Sequence, residues 1–160
     1  PPGCGDRAYR HRRPHVMRRL AILAVLSGGL VVAVPPVQAA LTGSGTYAID
    51  GDSVRVGRTT VRLLGIDTPE YGRCGYRAAT QATRNLIADG VRIRHAMGTD
   101  KYGRTLAYLR TADGRDVGKV LLRRGLAVAR YDSFDGYPAH PKQAAYRRLD
   151  ASHNRPGVCF

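Results

Sequence analysis

Asp50-Gly51-Asp52-Ser53-Val54 is followed by Val61-Arg62-Leu63-Leu64-Gly65-Ile66-Asp67-Thr68-Pro69-Glu70, and then by Asp100-Lys101-Tyr102-Gly103-Arg104. The first two blocks read as turns and short strands, which bring Asp52 and Asp67 together as a site for a hard cation. Arg62 and Arg104 supply planar forks suited to phosphate oxygens. Glu70 is left over as a candidate base. Carboxylates and arginines combined in this way point to phosphodiester chemistry.

Around these blocks the pattern predicts short strands over 45–49, 53–56 and 60–64, turning at Asp50-Gly51-Asp52 and at Gly57-Arg58. Pro69 ends the run, because it cannot extend a central strand. A loop follows over 71–75. Ala78, Ala79, Ala82, Leu86 and Ile87 then recur at helical spacing until Asp89-Gly90. Further strands are predicted over 91–96 and 105–110, and helices over 117–124, closed by Gly125, and over 142–152. The segment 132–141 reads as a polar loop and 154–160 as an irregular tail. The expected fold class is α+β: five short strands closing into a small barrel, with about three flanking helices.

The quoted blocks resemble the micrococcal nuclease (thermonuclease) family, in the family's order and over about 45–131. The resemblance implies a five-stranded OB-fold barrel. It also implies a Ca2+ ion held by Asp52, Asp67 and the backbone carbonyl of Thr68, with Asp50 just outside the ion's ligands. Arg62 and Arg104 would clamp the phosphate, Glu70 would activate the attacking water, and Lys101, Tyr102 and Tyr131 would line the nucleotide pocket. The implied substrates are single-stranded DNA, RNA and accessible duplex DNA, cut with low sequence specificity to leave 3′-phosphates. A noncatalytic OB-type nucleic-acid-binding module is the rival from another class, and retention of Asp52, Asp67, Glu70, Arg62 and Arg104 together argues against it. In two places the chain departs from the family. Ser133 stands where a second aromatic is usual, with Phe134 close enough to compensate, and 71–75 replaces a longer basic loop.

The 160-residue chain has room for one domain, expected over 45–160. The segment 1–16 reads as an upstream extension without a role. Over 17–39, Met17-Arg18-Arg19, an apolar run and Pro35-Pro36-Val37-Gln38-Ala39 form a signal peptide cleaved near Ala39, and 40–44 is a flexible lead-in. The apolar run is short for a spanning helix. These features imply a secreted or cell-surface protein without stable membrane association after cleavage, with a retained anchor, leaving a surface nuclease, as the alternative; a monomer is expected, although no feature of the sequence determines it. After Ala39 the chain carries 20 basic and 11 acidic side chains, a balance of +9 that attracts polyanions. Cys74 and Cys159 both follow Ala39, and an exported chain with two cysteines suggests a disulfide, unpaired thiols being the alternative. Closing a loop of that length is worth about 4.5 kcal/mol in the chain-entropy account.

Overall fold

In the computed structural model, which describes residues 45–153 and 158–160, three strands follow in hairpin order: β1 (Thr46–Ala48), β2 (Ser53–Val56) and β3 (Thr59–Leu63). β4 (Ile66–Asp67) leads to helix α1 (Tyr76–Ile87), and β5 (Val91–Arg94) and β6 (Thr105–Thr111) follow. Helix α2 (Val117–Arg123), β7 (Val128–Ala129), a 3-10 turn at Ser133–Asp135 and helix α3 (Gln143–Ala151) complete the order. The upstream extension, the signal peptide of 17–39 and the lead-in of 40–44 lie outside the described residues. Among the described residues no helix is long and apolar enough to cross a membrane.

The five-stranded sheet has the order β1-β2-β3-β6-β5, antiparallel except for the parallel β3–β6 pair. The expected α+β class and strand count hold, but the sheet is not closed. β1 and β5 remain its edges, because no ladder joins them. The expected strand over 91–96 stops at Arg94, where His95 takes a left-handed φ of 50° that no ladder residue adopts. A second, two-stranded sheet pairs β4 with β7. Neither strand reads as one in the sequence, since two residues carry no periodicity. Within the segment expected to be loop, Asp132 caps the 3-10 turn by accepting from the Phe134 amide at 2.9 Å.

Val54, Val61, Ile66, Leu109, Leu121 and Leu122 are wholly buried and join the three helices to the sheet. Each such side chain contributes about 1.5–3 kcal/mol relative to exposure. α1 buries Ala79, Ala82, Thr83, Leu86 and Ile87 along one stripe, at the spacing expected of an amphipathic helix. Its Thr83 hydroxyl donates to the Gly51 carbonyl at 2.6 Å, which ties the helix to the first acidic turn. Gly51 permits this approach, because a Cβ there would meet the Thr68 hydroxyl at 2.5 Å and the Ala79 Cβ at 2.9 Å. Asp116 caps α2 by accepting from the Lys119 amide at 2.9 Å.

Candidate active site

Asp50 shapes the first acidic turn. Its Oδ1 accepts from the amides of Asp52 (3.0 Å) and Ser53 (2.6 Å), an Asx-type arrangement that leaves Asp52 pointing inward. Asp52 is buried and meets β4 from across the fold: its Oδ2 accepts from the amide (2.8 Å) and the hydroxyl (3.0 Å) of Thr68. Asp67, also buried, is the last residue of β4, where it pairs with Val128 of β7.

Arg62 lies between the two acids. Its Nη1 is 2.9 Å from Asp52 Oδ2 and its Nη2 is 2.9 Å from Asp67 Oδ1, with Nη1 also donating to the Ile66 carbonyl at 3.0 Å. The sequence places Arg62 as a phosphate clamp; in the structure its charge is spent on the two carboxylates. Even so, burial outweighs Arg62 at Asp52 and holds that carboxyl above its ordinary range, with Asp50 and Asp67 pushing the same way. Asp52 and Asp67 thus share one buried guanidinium, that of Arg62. The pocket's donors are hard carboxylate oxygens already gathered around a positive group, a set that suits a hard divalent cation. Among the described residues no group of three His, Cys, Asp or Glu side chains forms, so Asp52 and Asp67 act as a pair.

Arg104 reaches the same place from the β5–β6 turn. Asp100 accepts from the Arg104 side chain at 2.6 Å and from the amides of Tyr102 and Arg104, both at 2.9 Å, which folds the turn and aims the guanidinium. Partial burial opposes these bonds, yet they hold the Asp100 carboxyl below its ordinary range. Arg104 Nη1 donates to Ser53 Oγ at 3.1 Å, and that hydroxyl lies 3.3 Å from Asp52 Oδ1. Ser53 thus links the arginine to the carboxylates, a role its residue type does not announce in the sequence. Glu70 is exposed beyond Pro69 and makes no side-chain ion pair among the described residues.

Of the expected pocket residues, Tyr102 is 71% exposed and lies beneath both Lys101 (5.1 Å) and Arg104 (5.4 Å). Tyr131 has a left-handed φ of 61°, which turns its ring under Arg62 at 5.4 Å. Burial, followed by the Asp67 charge, raises its phenol above the ordinary value. Two neighbours escaped the sequence reading. Arg130 is 3.2 Å from Asp67 Oδ2 and also stacks near Tyr131, and Tyr137 packs edge-on to Tyr131 at 5.3 Å. Tyr137 thus sets a second aromatic ring beside Tyr131. Phe134, expected to compensate there, sits instead against Arg147 at 5.5 Å, because Arg147 is anchored on Asp132.

Cys74 and Cys159 are brought side by side: the Cys159 amide donates to the Cys74 carbonyl at 3.1 Å. Both are free thiols, and a side-chain hydrogen bond with Cys74 raises the Cys159 thiol above its ordinary value, against the backbone bond, which lowers it.

The family model for staphylococcal nuclease homologues matches residues 60–157. The chain is 32% identical to Protein ParB of Escherichia coli over 144 residues, which are 82% of this chain and 77% of that protein. It is 34% identical to the Thermonuclease of Staphylococcus intermedius over 109 residues, or 59% of this chain and 60% of that one. A third relative is the Succinoglycan biosynthesis protein ExoI of Rhizobium meliloti (strain 1021), 32% identical over 108 residues, 61% of this chain; the match spans only 56% of that protein. The matched span contains Arg62, Asp67, Glu70, Arg104 and Tyr131, and the chain belongs to the staphylococcal nuclease homologue family.

Proposed function

We propose that the chain is an exported, calcium-dependent nuclease that hydrolyses phosphodiester bonds of DNA and RNA with little sequence preference and works as a monomer. The observation that carries this reading is the convergence of Asp52 and Asp67 on one guanidinium, with Arg104 tied to the same carboxylates through Ser53. Export rests on the signal-like segment 17–39 alone.

Asp52, Asp67 and the Thr68 carbonyl would hold the ion, which when bound supplies Lewis-acid polarisation and a charge that positions the phosphate. With their charge met by the ion, the carboxylates would leave the Arg62 guanidinium available to the scissile phosphate. Arg62 and Arg104 donate to the oxygens on which charge grows, favouring the transition state over the bound substrate. Glu70, solvent-facing and without an ion pair among the described residues, takes the proton from the attacking water. The water oxygen bonds to phosphorus as the bond to the 5′-oxygen breaks, leaving a 3′-phosphate. Arg104 stabilises the departing oxygen, which takes a proton from solvent. Tyr131 and Tyr137 offer an edge-on aromatic pair on which a base can stack.

The test is cleavage of single-stranded DNA by purified protein in calcium, in magnesium and in excess chelator. Cleavage in calcium, weak cleavage in magnesium and none in chelator are expected. Undiminished cutting in chelator rejects the ion's role, and binding without cutting under every condition favours the noncatalytic module.

A further inference from the structure

A cavity of about 470 Å³ opens between α2 and α3 at the far end of β6. Arg110, Arg115, Lys119, Arg123 and Lys142 line it, against a single carboxylate, Asp116. That carboxylate is already committed. Its Oδ1 accepts from the Tyr146 hydroxyl at 2.8 Å and from the Lys119 amide, and its Oδ2 pairs with Lys142. Arg115 pairs with Asp113 in an exposed contact, and Arg110 donates to the neutral Gly114 carbonyl at 2.8 Å. Among the described residues no carboxylate pairs with Lys119 or Arg123, which stand one helical turn apart on α2. Excess positive charge is thus concentrated in a concave site that the chemistry above does not use.

Arg104 lies just before the first residue of β6, and Arg110 is near its last. Six residues of strand span about 20 Å. Along a nucleic-acid strand that is a reach of several phosphates, fewer when the strand is single and extended than in a duplex, where each step is about 3.4 Å.

We propose that this cavity is a second nucleic-acid site, gripping the phosphate backbone of the substrate strand several nucleotides from the bond being cut. It rests on the nuclease reading of the Asp52–Asp67 site. Short substrates reach only the catalytic centre, whereas long ones engage both places, so the cavity sets a preference for length. Its contacts are ionic and to phosphate, and therefore indifferent to base sequence.

The test compares the full chain with Lys119→Gln/Arg123→Gln on single-stranded DNA of about thirty and about four nucleotides, in calcium and across a salt series. The expected result is a KM for the long substrate raised about tenfold at low salt with kcat unchanged, and no change on the short one. The slope of log KM against log salt should also fall by about 1.4, the value for two lost single-strand contacts. Unchanged KM and slope on the long substrate would overturn the second site and leave the nuclease reading intact, as would equal losses on both lengths. Should the chain cut neither substrate, the nuclease reading fails by itself. Anisotropy of the labelled long strand then decides: weaker binding by the variant upholds the site, equal binding rejects it. Lys119→Met/Arg123→Met, which keeps the aliphatic stems, replaces the glutamine pair if circular dichroism shows that pair to be unfolded, and is read by the same outcomes.

Discussion

Asp52 and Thr68 are joined twice, through the amide (2.8 Å) and the hydroxyl (3.0 Å) of Thr68, both donating to the same carboxylate oxygen. This double contact fixes the acidic turn of the first hairpin against β4, and so sets the separation of Asp52 from Asp67. Thr68→Val keeps the amide bond and removes the hydroxyl. We expect a loss of about 1.5–3 kcal/mol, the scale for a hydrogen bond to a charged group. Urea denaturation measures it. A variant as stable as wild type would show the hydroxyl contact to be idle.

Arg62 neutralises two buried carboxylates, so Arg62→Ala should act on stability as well as on rate. Without the ion, the variant is expected to lose about 3–5 kcal/mol, because Asp52 is left without a cation and Asp67 keeps only the half-exposed Arg130. Calcium should restore much of that loss while the rate stays at least about a hundredfold down. Melting curves with and without calcium, alongside turnover, separate the two effects. Arg104→Ala should lower turnover on a similar scale with a smaller change in melting, since its partner Asp100 remains partly solvated.

His140 is buried, its Nδ1 lies 2.7 Å from the Tyr108 hydroxyl, and its Nε2 has no hydrogen-bond partner among the described residues. Nε2 faces Gly65, where a Cβ would come within 2.2 Å. Burial lowers the imidazole's pKa, with Asp132 opposing and Arg147, Lys142 and His95 adding to the shift. The unfolded chain therefore binds this proton more readily than the folded one. Stability from this site is complete above the unfolded value of about 6.5 and declines as pH falls through it. Urea midpoints at about pH 7.5 and pH 5.5 should differ more for wild type than for His140→Gln. Equal differences would show that the ring is not held neutral.

Cys74 and Cys159 are close enough to share a hydrogen bond, and in an oxidising compartment we expect them to join. Thiol titration of denatured, exported protein should find essentially no free sulfhydryl. Two per chain would refute the bridge. With the bridge formed, Cys159→Ser should melt several degrees lower yet retain much of its activity at low temperature, because neither sulfur takes part in the proposed chemistry.

The strands of the main sheet, the helices and the two acidic turns were legible in the sequence because each is written in neighbouring residues: Asp50 bonds Ser53, and α1 repeats its apolar positions at helical spacing; β4 and β7, two residues each, were not. Asp52, Asp67, Arg62 and Arg104 were recognisable as residue types in order, and the fold does gather them. Tertiary structure alone decided their partners. Arg62 faces the carboxylates, Ser53 bridges to Arg104 across 51 positions, and Arg130 reaches Asp67 across 63. Tyr137 meets Tyr131 only because the latter's left-handed backbone turns the ring. The open sheet is of the same kind, since pairing β1 with β5 depends on how the strands coil. Periodicity reports which face of an element is buried, but an ion pair or a closed edge depends on distances between segments that local preference does not encode.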